Sequence, residues 1–330
     1  MRPLRVAVIG LGLMGRRHAA VLAAHPAAEL VAGVDLSEPA REAFRAEFSV
    51  PAVASLSTVD ADAVVVALPD NAHRAVAVDA IEGGLHVLVE KPLATTVADA
   101  RAIVDAAAGS GAVVMVGQTL RFEPRYRQAH ATVRSGRVGE VALCYARRNS
   151  AFGAAVRYGT STSLPWHVSV HDVDVATWIT GLRVVEVTAR GTDRRLGGNG
   201  HLDALGALLT LEGGVPLLLE SSWVLPEHLR SGIDCRLEVV GSRGSVEVHG
   251  LDEGLRVLDD DGWEHPDVLR WQQDGGAGPS GALANEVGHF VGAALGTFPC
   301  EVGAVEALHS VQVVAAIEES LRTGGAVPVV

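Results

Sequence analysis

The stretch WHVSVHDVD, residues 166–174, places two histidines and two aspartates among valines that would normally pack into a core. A buried charge is costly unless it is paired, so four ionisable groups in such a segment indicate a chemical role. If residues 167–178 form an α-helix, one of its faces carries His167, His171, Asp174 and Trp178. Histidine titrates near neutral pH, so His171 could accept the proton of a hydroxyl group whose carbon loses a hydride.

The same spacing allows a second kind of site. His167, His171 and Asp174 form the pattern H-x-x-x-H-x-x-D, and two histidines one helical turn apart can chelate a metal ion. A zinc-protease helix would need glutamate at position 168, where valine stands. We therefore favour the acid/base interpretation and expect no metal. Asp174 could orient the His171 imidazole or satisfy a backbone group, and Asp172 is expected to be structural.

A glycine motif, GLGLMG, follows the first apolar run of the chain. Gly10, Gly12 and Gly15 have GxGxxG spacing between a predicted strand at 4–9 and a predicted helix. The glycines would allow the tight turn, the approach of a pyrophosphate and close packing of helix on strand. Asp35 ends the second predicted strand, 20 residues after Gly15, where a carboxylate can bind ribose hydroxyls. The pattern predicts a dinucleotide site, although such a fold can also bind nothing or S-adenosylmethionine.

The cofactor is expected to be NAD, because Asp35 would repel the 2′-phosphate of NADP. NADP stays possible, since three arginines could reach that phosphate: Arg16, Arg17 and Arg41. Lys91 stands where a buried strand at 86–91 runs into Glu90-Lys91-Pro92. Ligands in open α/β sheets bind beyond the carboxyl ends of strands, so we expect Lys91 to face the nicotinamide rather than solvent.

Strands alternate with helices up to about residue 121, which predicts an α/β fold with a doubly wound parallel sheet. Later runs are longer and separated by turns, which indicates a second α/β domain with a large, mainly antiparallel sheet. The predicted domains are 1–121 and 122–330. Closing helices are expected at about 281–296 and 303–323, and the segments 150–165 and 274–281 are expected to be loops.

Composition excludes several classes of function. The net charge is −12 and arginines occur at most in pairs, which argues against a nucleic-acid partner. The cysteines are too dispersed for a zinc ribbon or a disulfide framework: Cys144, Cys235 and Cys300. No apolar run reaches the length of about 18 residues of a membrane helix, and the N-terminal run breaks at Gly10. We expect a cytoplasmic protein with no membrane contact.

Several motifs in this order resemble the glucose–fructose oxidoreductase/inositol dehydrogenase (Gfo/Idh/MocA) family: GLGLMG, VVALPDNAH, GLHVLVEKPLA, MVGQTLRF and HVSVHDVDVATW. The resemblance covers nearly the whole chain. It implies a Rossmann domain, a second domain whose open sheet forms a homodimer or homotetramer interface, and NAD(P)-dependent oxidation or reduction of a sugar or cyclitol. Lys91 corresponds to the family lysine that holds the reacting oxygen. His171 corresponds to the acid/base of a helical Asp-x-x-x-His motif, in which His167 replaces the aspartate.

The resemblance also implies the wider set of site residues. Beside the three glycines and Asp35, the cofactor would contact Leu13, Met14, Leu68, Pro69, Asn71, His73, Glu90, Lys91 and Gln118. The substrate would contact Lys91, Arg121, Asn149, Trp166, His167 and His171, with Asp174 behind them. Two alternatives stay open. One is a reductase or redox-neutral enzyme that keeps its cofactor bound and acts on a nucleotide sugar or glycoside. The other is a non-catalytic regulator that responds to the dinucleotide.

Overall fold

The computed structural model describes residues 2–158, 161–196, 201–227, 233–250, 257–259, 262–264 and 279–330. The chain forms two compact units, Met1–Phe122 with Leu269–Leu308 and Glu123–Val268 with His309–Val330. The predicted second domain spans residues 122–330, whereas in the structure Leu269–Leu308 groups with the first unit. Most of the predicted loop at 274–281 lies outside the described residues.

The helices and strands follow the predicted order. The α-helices of the described residues are α1 (Leu13–Ala24), α2 (Glu38–Phe48), α3 (His73–Glu82), α4 (Val97–Ala107), α5 (Pro124–Arg134), α6 (Phe152–Tyr158), α7 (Val170–Thr180), α8 (Ala282–Ala294) and α9 (Ala304–Thr323). The strands are β1 (Leu4–Ile9), β2 (Ala28–Val34), β3 (Ala52–Val53), β4 (Ala63–Val66), β5 (His86–Glu90), β6 (Val114–Gly117), β7 (Val141–Ala151), β8 (Val184–Thr192), β9 (Ala204–Leu211), β10 (Pro216–Leu225), β11 (Ile233–Gly241), β12 (Gly244–His249), β13 (Val257–Asp259), β14 (Gly262–Glu264) and β15 (Val327–Pro328).

The first unit is built on a six-stranded parallel sheet in the order β3-β2-β1-β4-β5-β6. Its central strands are valine-rich and buried on both faces, as the continuous apolar runs predicted. Two of its helices begin at side-chain caps: Ser37 accepts from the backbone of Ala40, and Thr96 from that of Asp99. This unit confirms the predicted Rossmann sheet.

Helix α8 returns late in the sequence to the core of the first unit. Its residues Leu283, Val287 and Phe290 are buried in the same cluster as Leu22 and Phe44. The sequence predicted a helix here, but an apolar helical face does not reveal which distant core it joins.

The second unit contains a seven-stranded sheet in the order β12-β11-β7-β10-β9-β8-β15. Its pairs are antiparallel except that between β7 and β10, so the predicted mainly antiparallel sheet is confirmed. Alternation places Cys144, Ala146, Leu217 and Leu219 on a buried face. The segment 150–165, expected to be a loop, instead contains helix α6.

Large apolar side chains stand on the outer face of this second sheet. Leu218 of β10 is directly opposite Leu208 of β9, and Val240 of β11 is opposite Leu143 of β7. These four residues are 36–49% exposed. Among the described helices, none is both long enough and apolar enough to span a bilayer.

Candidate active site

The glycine turn leaves room for a phosphate. Gly10 has a φ of 91°, and a Cβ built there would come within 2.4 Å of the carbonyl oxygen of Ala67. A Cβ at Gly15 would collide with the Gly10 carbonyl, whereas nothing lies within 4 Å of the Cβ position of Gly12. Helix α1 starts directly after Gly12 without a side-chain cap, so its first N–H groups can bind an anion.

Asp35 is fixed at the end of β2 by two backbone hydrogen bonds. Its Oδ2 accepts from the N–H of Leu11 and its Oδ1 from the N–H of Ser37, both at 2.8 Å. The half-buried carboxylate lies in a cavity of about 880 Å³. Leu68 and Pro69, which the sequence analysis also selected, line this cavity. A fixed carboxylate in an apolar cleft suits the adenosine end of a dinucleotide.

Other residues that line this cavity are not among the predicted site residues: Leu36, Ser55, Ser57 and Val76. Ser55 and Ser57 belong to a short turn after β3, a two-residue strand that the hydrophobic pattern did not reveal. The order of the parallel strands places β3 beside β2 and so brings this turn to Asp35. In the sequence, the Ser-x-Ser pattern before the strand at 63 is the one local sign of this turn.

The positive charges of the arginines near Asp35 are compensated by acidic side chains. Arg41 donates to the backbone oxygen of Asp35 at 2.6 Å and forms an ion pair with Glu38. Glu38 also pairs with Arg45 at 2.6 Å, and Arg16 pairs with Glu47 at 2.7 Å. These contacts weaken the alternative in which arginines hold the phosphate of NADP.

Lys91 follows β5, and the residue before it is tied into the core. The Oε1 of Glu90 is 2.7 Å from Nε2 of His18, and its Oε2 accepts from the Lys91 N–H at 3.1 Å. Burial alone would raise the pKa of Glu90, but the hydrogen bond from His18 and the charges of His18, Lys91 and His73 lower it below the ordinary value. Both oxygens of Glu90 are engaged within the protein, and its contact with the cofactor stays a prediction.

His73 has a similar supporting position. Its ring is fully buried, with Nδ1 2.9 Å from the Pro92 carbonyl oxygen and Nε2 2.9 Å from that of Leu68. Both ring nitrogens of His73 are used within the first unit, and the contact of this residue with the cofactor stays a prediction. The ring joins the turn after Lys91 to the end of β4. Neighbouring Asn71 is exposed and could still meet the cofactor.

In the second unit, the predicted helix begins with a π-helical turn, Pro165–Ser169, and continues as α7. The N–H of Val170 reaches back five residues to the carbonyl of Pro165. His167 therefore lies in a π-helical turn, and only His171 lies in the α-helix that was predicted to hold both. His167 is half-buried between two aromatic rings, with centroids 4.5 Å from Tyr158 and 6.0 Å from Trp223.

The other ionisable groups of this helix are buried. Asp172 forms an ion pair with Arg148, the structural role that was expected. Asp174 accepts from the Ser310 hydroxyl at 3.5 Å, and Trp178 stacks on His130 at 4.1 Å. His171, by contrast, is half-buried in the first turn of α7. Its accessibility fits a residue that exchanges protons with a ligand.

Comparison with known proteins places this architecture in a family. A model described as an oxidoreductase family with an NAD-binding Rossmann fold matches residues 4–118, and the GFO/IDH/MocA C-terminal domain matches residues 126–247. Inositol 2-dehydrogenase 2 of Saccharopolyspora erythraea is 32% identical over 256 residues, covering 74% of this chain and 73% of the relative. The chain belongs to the GFO/IDH/MocA oxidoreductase family. It is an NAD-dependent oxidoreductase, which confirms the expected family and cofactor.

Two solved structures extend the comparison. Scyllo-inositol dehydrogenase from Lactobacillus casei, with bound NAD(H) and scyllo-inositol, has a TM-score of 0.86 at 22% identity and covers 99% of both chains. GenD2 from gentamicin A biosynthesis, in complex with NAD, has a TM-score of 0.85 at 25% identity, covering 99% of this chain and 97% of its own. The first of these shows a shared GFO/IDH/MocA fold.

The other predicted site residues differ in their exposure and contacts. In the first unit, Leu13 is 51% exposed at the start of α1, Met14 is partly buried, and Gln118 and Arg121 are buried. In the second, Trp166 is buried. Asn149 donates to Glu220 at 2.6 Å and accepts from Ser222 at 2.7 Å, so both ends of its amide are used within the sheet. The contacts of these residues with cofactor or substrate stay predictions.

The metal-binding alternative does not gain support from the geometry. Within the part of the chain that the structure describes, one group of three potential ligands lies within 4.8 Å: Glu238, Glu247 and His249. His167, His171 and Asp174 do not form such a group. Arg236 forms ion pairs with Glu238 and with Glu247. The negative charges of these two acids are therefore already compensated by a cation.

Proposed function

We propose that this chain oxidises a secondary hydroxyl of a cyclitol, with inositol as the first substrate class to test. The observation that carries the chemistry is Lys91, which follows β5 in the NAD-binding unit. The substrate class is supported by the relative named inositol 2-dehydrogenase and by the neighbour with bound scyllo-inositol. A sugar or a sugar derivative offers the same secondary hydroxyl and belongs to the same proposal.

Lys91 is the single lysine of the chain, among 26 arginines. Where only a positive charge is needed, for solubility or for a surface ion pair, arginine would serve equally well. The two side chains differ where a compact ammonium must approach one atom, because a guanidinium is a broad planar fork that stays protonated. The use of lysine at this position alone therefore supports a lysine-specific task, which we assign as holding the reacting oxygen.

The proposed reaction divides among three of the chain's own side chains. Lys91 donates a hydrogen bond to the hydroxyl oxygen and stabilises the negative charge that develops there. His171 accepts the hydroxyl proton, so the carbon–oxygen single bond becomes a carbonyl as hydride leaves. His167, held between two aromatic rings, positions the substrate. NAD, when bound, supplies the hydride acceptor.

A second candidate substrate is a glycoside or antibiotic sugar, supported by the similarity to GenD2 from gentamicin A biosynthesis. On such a substrate the enzyme could act as a reductase or keep its cofactor through a redox-neutral cycle. The non-catalytic regulator is less well supported, because Lys91 and His171 are both present.

A substrate screen separates these functions. Purified protein with NAD is incubated with inositols, sugars and aminoglycoside fragments, and NADH is followed by absorbance. Turnover on inositols supports the main proposal, whereas turnover on aminoglycoside fragments alone supports the second candidate. Tightly copurifying cofactor without net NADH supports the redox-neutral enzyme. NAD binding without turnover on any substrate contradicts the enzymatic proposal.

The exposed leucines of the second sheet support a homodimer or homotetramer formed through this face. Leu208 and Leu218 are 49% and 45% exposed side by side, a patch that a second copy would cover. Light scattering after size exclusion should give a multiple of 34.3 kDa. Leu218→Glu should shift it toward the monomer, whereas Val305→Glu, at a 65% exposed position elsewhere, should not. The cytoplasmic location stays a prediction.

A further inference from the structure

Glu90 is enclosed in the first unit although it precedes the lysine of the site. The residue is 6% exposed, and the His18 side chain that contacts it is completely buried. One carboxylate oxygen is 2.7 Å from His18, and the other accepts the backbone N–H of Lys91 at 3.1 Å. The carboxylate thus links helix α1 to the first residue of the turn.

The space around Glu90 is narrow. Gly117 of β6 is directly opposite it in the sheet. A Cβ at Gly117 would lie 3.4 Å from the Cα of Glu90 and 3.5 Å from its carboxyl carbon and Oε2. The carboxylate therefore packs over bare backbone, and a shift of its side chain would be passed to Lys91.

A second buried acid, Glu286 of α8, lies close enough for its pKa to respond to the charge of Glu90. Burial and then that negative charge raise the pKa of Glu286 well above its ordinary value, whereas the pKa of Glu90 is lowered. The pKa values of the two acids are thus shifted in opposite directions. The ionisable groups that act on Glu90 are His18 of α1, Lys91 after β5 and His73 of α3. Glu90 in turn acts on Glu286 of α8.

We propose that Glu90, held by His18, is a positioning residue for Lys91: its carboxylate fixes the backbone at residue 91, and its negative charge acts on the lysine side chain that follows. The importance of this arrangement for turnover rests on the function proposed for Lys91. The arrangement itself does not, because it concerns groups that surround the lysine whatever the substrate is. Loss of the carboxylate should release the turn and make the ammonium easier to deprotonate.

The single lysine allows a direct measurement. Protein grown with [ε-13C]lysine gives one lysine signal, whose pH titration reports on Lys91 alone. Glu90→Gln removes the charge and should lower the pKa of Lys91 by about one pH unit. Glu286→Gln is the control: this acid is also buried, its pKa is raised rather than lowered, and its loss should change the pKa of Lys91 by less than about 0.3.

Turnover of inositol with NAD gives the second readout. Glu90→Gln should lower kcat by about 10–100-fold, leave KM for NAD within about threefold, and move the high-pH limb of the rate profile to lower pH. Glu286→Gln should keep kcat within about threefold of wild type. An unchanged lysine titration in Glu90→Gln overturns the proposal, even if the variant is less stable, because Glu90 would then be only structural.

Two further variants keep the test decisive if Glu90→Gln does not fold. His18→Gln keeps an N–H donor for Glu90 and should preserve the lysine titration, whereas His18→Leu should lower the pKa of Lys91. Equal titrations in both variants overturn the proposal. If Lys91→Ala keeps full turnover while Glu90→Gln shows the expected shift of the lysine titration, the proposed function is wrong but the role of Glu90 stands.

Discussion

Arg148 and Asp172 form a bidentate ion pair buried between β7 and α7. Nε of Arg148 is 2.8 Å from Oδ2 of Asp172, and its terminal nitrogen is 3.0 Å from Oδ1. The two residues are 5% and 0% exposed. Burial opposes the charge of Arg148, but the Asp172 carboxylate raises its pKa well above the ordinary value. The pair fixes the first turn of the helix that carries His171.

Breaking this pair should destabilise the protein strongly. Asp172→Asn leaves a buried guanidinium without its counter-charge, and we expect the free energy of unfolding to fall by about 3–5 kcal/mol. Denaturant unfolding measures this loss. The double variant Arg148→Met/Asp172→Leu, which buries no charge, should recover most of it. A loss of less than about 1 kcal/mol in Asp172→Asn would contradict the role of the pair.

The sequence predicted the parallel sheet closely because the valine-rich strands, the glycine motif and the alternation of strands with helices each give a local signal. It did not predict the π-helical turn before α7, because one extra residue in a turn leaves the pattern of residue types unchanged. The sequence also did not predict the protein contacts of two residues near the cofactor motif. Only the packing shows that the His73 side chain contacts backbone carbonyls and that Glu90 contacts His18.

Cofactor choice should depend on Glu38 as well as on Asp35. The wild type should prefer NAD, because Asp35 is fixed at the ribose end and Arg41 is held by Glu38. Glu38→Gln should free Arg41 and raise kcat/KM for NADP several-fold, with that for NAD changed by less than about twofold. Glu42→Gln, an exposed position on the same helix, is the control. A wild-type preference for NADP, or equal effects of both variants, would contradict this assignment.

His309 should make stability depend on pH. Burial, and then the charge of Arg183, lower its pKa to about 4. The unfolded imidazole titrates near pH 6.5, so between these values the unfolded state binds more protons and stability falls as pH falls. Between about pH 7 and pH 5, protonation of His309 in the unfolded state should lower the free energy of unfolding by roughly 1–2 kcal/mol. His309→Gln should remove that part of the pH dependence. Thermal unfolding of His309→Gln and of the partly exposed control His249→Gln checks this, and equal pH slopes in both would contradict it.

The two histidines of the helix should differ in kinetics. His171→Ala removes the proposed base and should lower kcat by about 10²–10⁴-fold. His167→Ala should chiefly raise KM, because His167 sits between Tyr158 and Trp223 as a positioning residue. His167→Asp, which restores the family pattern, should keep measurable turnover. A larger loss of kcat in His167→Ala than in His171→Ala would show that His167 is the base.

The role of Lys91 is the central claim, and steady-state NADH formation by Lys91→Ala tests it most directly. With inositol and NAD, we predict that kcat falls by at least about 10²-fold, because the charge on the reacting oxygen loses its partner. The dissociation constant for NAD, measured separately by calorimetry, should stay within a few-fold of wild type. A Lys91→Ala enzyme with near wild-type kcat would contradict the account.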